Sequence, residues 1–427
     1  MDAVNGARIA IIGTGYVGLT TGACFAHLGH TVVCADVDPA KIEMLQRGEL
    51  PIYEPGLDQI VKDGIRSGRL TFVLGAVNAA KDCEFAYLCV PTPEGEDGRA
   101  DLSYLQAAAA EIASVLPPES IVVNKSTVPV GSTKVVERVL QRPDVKVVSN
   151  PEFLREGSAV KDFLKPDRVV VGSDDQAAAV RVASLYLGVA APFIVTDPAS
   201  AETIKYAANA FLATKISFVN AVAAVCEAVG ADVNDVVLGI GYDKRIGQEF
   251  LRPGPGWGGS CFPKDTLALI GIAEDHGYDF NFLHGVVTVN DEQRERIVAK
   301  VRTAVGGELA GATIAAWGLT FKANTDDLRM SPALAIIEEL VAAGAKVRAY
   351  DPTVSKQLAG MEVVGSALEA CDGAQALVVL TEWDEFKWID LHDVRDRLAA
   401  TAIVDARNLL DRAAALRLGF TYQGVGR

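Results

Sequence analysis

Residues 8–36 read RIAIIGTGYVGLTTGACFAHLGHTVVCAD. The apolar run Arg8 to Ile12 ends in GTGYVG at Gly13 to Gly18, a helical pattern follows through Leu28, Gly29 stops it, and a second apolar run from Thr31 to Ala35 ends at Asp36. Strand, glycine turn, helix, strand and acid in this order meet the requirements of a dinucleotide site, which a bare GxGxxG does not. Gly13 permits the tight turn, Gly15 lets the backbone approach a pyrophosphate, and Gly18 allows close helix packing. The helix amino terminus offers unpaired N–H groups to the anion. Asp36 can accept from both ribose hydroxyls, and Val37 and Asp38 supply no Arg for a 2′-phosphate, so NAD is expected rather than NADP.

Outward from this unit the alternation continues. Phe85 to Val90 ends at PTPEGEDGRADLSYL, Ile121 to Asn124 ends at KSTVPVGST, and Val145 to Ser149 ends at NPEFLREGSA. Each run reads as a buried parallel strand with a ligand-facing loop after it, which makes Thr92, Ser126, Thr127, Glu152 and Glu156 candidates to face one crevice. From about 201 to 300 long helical periods take over, an apolar Ala-rich stretch that needs a second surface, from a partner subunit or from its own chain. The α/β pattern then restarts at Thr313 to Trp317 and runs through Lys346 to Tyr350, Asp351, Ala376 to Leu380 and Ala402 to Asp405, without the glycine fingerprint. The expected fold is α/β, two Rossmann-like doubly wound domains joined by a long central helix. The expected domains are residues 1–200, 201–300 and 301–427.

The 427 residues carry 40 Lys plus Arg against 55 Asp plus Glu, a formal charge of −15, with no basic run, so a nucleic-acid partner is excluded on electrostatic grounds. Half of the residues are hydrophobic, enough for two or three cores. No secretory or transit pattern and no uninterrupted bilayer-length apolar stretch is read, so no membrane is expected. Seven cysteines without a CxxC pair fit a reducing cytoplasm, and five histidines without HxxxH or HExxH pairing give no metal site.

The reactive segment is FLRPGPGWGGSCFPKD, Phe250 to Asp265, whose four glycines and two prolines between Arg252 and Cys261 rule out a helix. Cys261 lies just before a helical stretch beginning near Lys264, where the helix dipole and the lysine favour a thiolate. A thiolate beside a nicotinamide points to aldehyde oxidation through a hemithioacetal and a thioester, which needs an oxyanion holder, a proton-handling carboxylate and a base for hydrolysis. Lys205 and Asn209 share a helix face, Asp265 lies four residues after Cys261, and Glu152 and Glu156 share another segment.

GTGYVG with Asp36, VPTP at 90–93, DGRADLSY at 97–104, KSTVPVG at 125–131, NPEFLREG at 150–157, Lys205 with Asn209, GGSCFPKD at 258–265 and FKANTDDLR at 321–329 together resemble the nucleotide-sugar 6-dehydrogenases of the UDP-glucose/GDP-mannose dehydrogenase family. The resemblance spans essentially the whole chain. It implies a four-electron oxidation of a sugar CH2OH to a carboxylate using NAD twice, in a homodimer formed through the central helix, with the nucleotide sugar between the two Rossmann-like domains. UDP-glucose is the implied substrate, and GDP-mannose, dTDP-glucose and a UDP-N-acetylhexosamine remain open. By matching positions Cys261 is the nucleophile, Lys205 and Asn209 hold the oxyanion or an oriented water, Asp265 assists proton transfer, Glu152 is the hydrolytic base and Thr127 orders water. For NAD the positions are Gly13, Gly15, Tyr16, Val17, Gly18, Asp36, Lys41, Thr92, Thr127, Glu156, Lys264 and Arg329. For the nucleotide sugar they are Glu152, Phe153, Leu154, Arg155, Glu156, Lys205, Asn209, Phe250, Leu251, Arg252, Pro253, Gly254, Gly258, Lys322 and Arg407, with Arg245 reaching in from the neighbouring subunit. Trp257 stands where the family usually carries Phe or Tyr.

Overall fold

Apolar runs of four to six residues between helices need a sheet covered on both faces, and the computed structural model shows two of them. It describes residues 6–93, 95 and 100–427, so part of DGRADLSY lies outside the described residues. By packing, the chain divides into a unit up to Ala208 and a unit from Asn209, with the division inside the long helix Pro198–Val229.

In the first unit β1 (Arg8–Ile12), β2 (Thr31–Asp36), β3 (Leu70–Leu74), β4 (Phe85–Leu88), β5 (Ile121–Asn124), β6 (Lys146–Ser149), β7 (Val169–Gly172) and β8 (Phe193–Thr196) form one sheet in the order β3-β2-β1-β4-β5-β6-β7-β8. All neighbours are parallel except β6 and β7, which meet antiparallel at Ser149 and Gly172. The order reverses between β1 and β4, the switch point at which such sheets bind ligands. The two-residue period of β1 sorts its side chains: Ile9 and Ile11 enter one core with Phe25 and Tyr87, while Ala10 and Ile12 enter the other with Leu88 and Val122. The helix Tyr16–His27 ends because Gly29 takes φ +104, a left-handed geometry that lets the chain turn back into β2.

The second unit repeats the plan with β9 (Thr313–Trp317), β10 (Lys346–Tyr350), β11 (Met361–Val363), β12 (Ala376–Val379), β13 (Ala402–Asp405) and β14 (Thr421–Gln423), ordered β11-β10-β9-β12-β13-β14 and parallel throughout. Ile314 and Ala316 of β9 face one core, Ala315 and Trp317 the other. The expected pair of Rossmann-like sheets is therefore present, and the long helix lies where the helical periods placed it.

Pro198–Val229 is long and apolar enough, by length and composition, to cross a membrane, although Glu202, Lys205, Lys215 and Glu227 interrupt its apolar run. Glu202 and Lys205 are buried with partners in the first unit, and Ser217 and Asn220 are buried with partners in the second, which is the behaviour of a helix embedded in protein.

Candidate functional site

The first unit builds a cofactor cradle at the end of β1. Gly13 sits at φ +97, and a Cβ there would stand 2.6 Å from the Cys89 carbonyl oxygen. A Cβ on Gly18 would come within 1.9 Å of the Gly13 carbonyl oxygen, so the helix packs on its own turn. Gly15, the residue capping the helix, has nothing within 4 Å of such a Cβ, and no side chain caps the helix amides. Open space in front of unused N–H groups fits a pyrophosphate. Asp36 closes β2, where its Oδ2 accepts from Thr14 N at 2.9 Å, Thr14 Oγ1 at 2.6 Å and Lys41 Nζ at 2.9 Å. Burial pushes this carboxyl up, but the Thr14 and Lys41 donors outweigh it and hold it at about 2, so the acid is ionised for ribose hydroxyls. The residues present fit NAD, with the Gly13 to Gly18 turn on its phosphates and Asp36 on its ribose.

Two further loops of this unit carry the expected polar groups. Thr92 donates its hydroxyl to the Thr127 carbonyl at 2.8 Å, joining the loops after β4 and β5. Ser126 is buried with its hydroxyl on the Val90 carbonyl at 2.6 Å, which fastens the loop. After β6, Glu152 is buried, with Oε1 2.9 Å from Lys205 Nζ and Oε2 accepting from Leu154 N at 2.6 Å. Phe153 carries the Arg168 guanidinium 3.6 Å from its ring centroid and the Lys205 ammonium at 5.4 Å. Leu154 packs on the core, while Arg155 lies at the surface, forked onto Asp162. Glu156 is half-buried.

In the second unit Cys261 is itself the cap of the helix Phe262–Asp275, two residues before a proline in its first turn, so the thiol stands at the positive end of a helix dipole. It is the one cysteine of seven that is not buried, and Ser260 Oγ lies 3.5 Å from its Sγ. Burial raises the thiols of Cys24, Cys34, Cys83, Cys89 and Cys371, each to about 12 or above. The Lys264 ammonium is 2.8 Å from Asp265 Oδ1. Asp265 is fully buried and its Oδ2 accepts from Asn209 Nδ2 at 2.6 Å. Asn209 thus reaches the reactive helix, one turn along the long helix from Lys205.

The loop before Cys261 is fastened by amide side chains. Gly254 accepts from Gln293 and donates to Asn220, at 2.8 and 2.9 Å, while Trp257 exchanges two backbone hydrogen bonds with Asn290. The Trp257 indole is buried and donates to Ser217 Oγ at 2.9 Å, so the larger ring is absorbed by the core. Gly258 is tightly placed, since a Cβ would lie 2.0 Å from the Met330 carbonyl oxygen. Phe250 holds φ +62, a left-handed geometry that costs a bulky residue roughly 1–2 kcal/mol, and Leu251 and Pro253 are buried while Arg252 is exposed. Lys322 lies 5.4 Å from the Phe321 ring centroid, and Arg407 donates to the Phe321 carbonyl at 3.0 Å and the Leu380 carbonyl at 2.8 Å. Arg245 and Arg329 lie at the surface, each forked onto an aspartate two residues earlier. Among the described residues no His, Cys, Asp and Glu cluster could hold a metal.

Two buried carboxylates escaped the reading of the sequence, Glu54 and Glu202. Glu202 accepts from Gly131 N, Thr133 N and Thr133 Oγ1, and Glu54 from Tyr16 OH, Gly157 N and Ala159 N. Their partners are 38 to 105 residues away, beyond any local pattern.

Comparison with known proteins finds one family in three segments of the chain. Residues 7–190 match the NAD binding domain of the UDP-glucose/GDP-mannose dehydrogenase family, 199–292 its central domain and 315–412 its UDP binding domain. The UDP-glucose 6-dehydrogenase of Rhizobium meliloti is 47% identical over 98% of this chain and 99% of its own. The UDP-glucose 6-dehydrogenase TuaD of Bacillus subtilis is 46% identical over 98% of this chain and 93% of its own. A solved UDP-glucose dehydrogenase from Pyrobaculum islandicum superimposes with a TM-score of 0.92 at 36% identity, covering 100% of this chain and 99% of that one.

Proposed function

The chain belongs to the UDP-glucose/GDP-mannose dehydrogenase family, and from that premise we propose that it oxidises UDP-glucose to UDP-glucuronate through a thioester on Cys261. The 47% identity to a UDP-glucose 6-dehydrogenase over nearly the full length of both chains carries the substrate assignment. NAD, when bound, accepts one hydride in each of the two oxidations. Cys261 adds its thiolate to the C6 carbonyl, holding the carbon first as a thiohemiacetal and then as a thioester. Lys205 and Asn209 hold the oxygen that gains charge, and Asp265 handles protons; the support is that Asn209 and Asp265 are already hydrogen-bonded. Glu152 takes a proton from the water that cleaves the thioester, water ordered by Thr127, and returns the thiol and a carboxylate. A Glu152 to Lys205 contact of 2.9 Å supports this, because it sets the base beside the group that holds the oxygen.

The remaining positions follow from the resemblance: Tyr16, Val17, Lys41, Thr92, Glu156, Lys264 and Arg329 serve NAD, and Phe153 to Glu156, Phe250 to Gly254, Gly258, Lys322 and Arg407 serve the nucleotide sugar. Residues 201–300 carry the reactive loop and the dimer helix, between domains at 1–200 and 301–427. The enzyme is a cytoplasmic homodimer, a reading supported by seven cysteines that form no disulfide, six of them buried, and by the exposed Phe211, Phe218, Val225 and Val229 along the long helix.

NADH release is to be compared across UDP-glucose, UDP-N-acetylglucosamine, GDP-mannose and dTDP-glucose; the highest kcat/KM is expected with UDP-glucose, and a higher value with another sugar nucleotide would overturn the substrate. The thioester has its own test. Glu152→Gln is expected to slow hydrolysis by ~100 to ~10,000-fold while both oxidations proceed, giving a burst approaching two NADH per site and a sugar nucleotide attached to the protein in intact-mass spectra. A burst with no covalent mass on Cys261 would sink the thioester.

A further inference from the structure

Glu54 lies in the turn preceding the helix Leu57–Arg66, far in sequence from every group assigned above, and its side chain is 5% exposed. A carboxylate taken so far from water needs donors, and it has them from two segments. Oε2 accepts from Gly157 N at 2.6 Å and from the Tyr16 hydroxyl, and Oε1 accepts from Ala159 N at 2.8 Å. The Tyr16 oxygen in turn accepts from Gly157 N at 2.8 Å. Tyr16 is the first residue of the helix that follows the phosphate-binding glycine turn. Gly157 and Ala159 lie just after Glu152–Glu156, and Ala159 opens a helix whose amides the side chain of its own cap, Ser158, does not cap. One buried carboxylate thus fastens the first turn of the cofactor helix to the segment that carries the hydrolytic base.

We propose that Glu54 is a positioning residue that couples the two: cofactor seated on the glycine turn fixes Tyr16, and through Glu54 it fixes Gly157 and the Glu152–Glu156 segment. Glu54 acts through the groups that donate to it, Tyr16, Gly157 and Ala159. The proposal rests on the assignment of that segment to the reaction, but the coupling is readable without turnover.

The test uses the full-length enzyme and NAD as the added ligand. Hydrogen exchange in residues 150–160 is expected to slow when NAD saturates the wild type. Glu54→Gln, which places an amide donor against donors, and Tyr16→Phe, which removes the hydroxyl, are expected to bind NAD about tenfold more weakly and, at saturation, to lose that slowing. Glu54→Asp, which keeps the charge, is expected to restore part of it. In the double variant the loss of NAD affinity is expected to be no greater than in either single variant, because both break one connection. A purely structural Glu54 would lower Tm but leave NAD affinity and NAD-dependent protection unchanged, and that result overturns the proposal. If Glu54→Gln does not fold, unchanged NAD affinity and protection in Tyr16→Phe overturn it equally. Wild-type inactivity on every nucleotide sugar would instead overturn the proposed function and leave these binding and exchange measurements interpretable.

Discussion

Asp36 and Lys41 meet at the end of β2, where the cofactor's 2′ position is proposed to lie. Because Asp36 is held at about 2, below its ordinary 3.8, its contribution to stability and to ribose binding is complete above pH 3.8 and is lost as pH falls through about 2. No titration of Asp36 is therefore expected in the pH dependence of KM for NAD between pH 5 and 9, and a KM that rises with a midpoint in that window would contradict the assignment. Removing the acid frees the ammonium now 2.9 Å away. Asp36→Ser with Lys41 retained is expected to raise the NADP to NAD ratio of kcat/KM by at least ~10-fold, since a desolvated charge pair at the phosphate is worth a kcal/mol or more; an unchanged ratio would remove Asp36 from the site. These residues were legible because strand, turn and acid lie within 29 residues of one another. Glu54 was not, since a lone glutamate among YEPGL becomes informative only after folding brings Gly157 and Ala159 to it.

At the scale of elements, the long helix caps another helix. Glu202 is 2% exposed and supplies the acceptor that the helix Ser132–Leu140 lacks at its own start, where Gly131 has no side chain. Burial raises its carboxyl above the ordinary value, opposed in part by the Thr133 and Gly131 donors. A raised folded pKa means that the group's stabilising share is complete below about 4.5 and is lost as pH rises through the folded value. Urea unfolding should accordingly show a larger advantage of wild type over Glu202→Gln at pH 4 than at pH 7, and the reverse order would refute the direction. Apolar periodicity revealed continuous apolar runs such as β1, β5 and β13. It failed at β7, which stands outside the regular βαβ alternation and meets β6 antiparallel, and at the edge strand β8, where Phe193, Ile194 and Val195 stay exposed. The three-residue β11 and β14 are too short to show a period.

At the scale of the whole molecule, the repeat of one sheet order in two units was readable because each buried parallel strand is a continuous apolar run followed by a turn. What covers the long helix was not, because an apolar stripe does not name its partner. Phe211, Phe218, Val225 and Val229 recur at spacings of seven and four along one face and are all more than half exposed. A second copy is the proposed cover, and Phe218→Glu, which puts a charge at the middle of the stripe, is expected to yield monomers in sedimentation analysis. Arg245 gives that dimer a functional test. Its side chain is 89% exposed on its own subunit, free to serve a neighbour once released from Asp243. Arg245→Ala alone and Cys261→Ala alone are each expected to be inactive as homodimers. Random exchange of equal amounts makes half of the dimers mixed, and in each mixed dimer the site holding Cys261 receives an intact Arg245 from its partner, whereas the other site lacks both. Activity should then return to about a quarter of the wild-type value per subunit. If Arg245 acts within its own subunit, the mixture stays inactive after exchange has been verified, because every site then lacks one of the two residues.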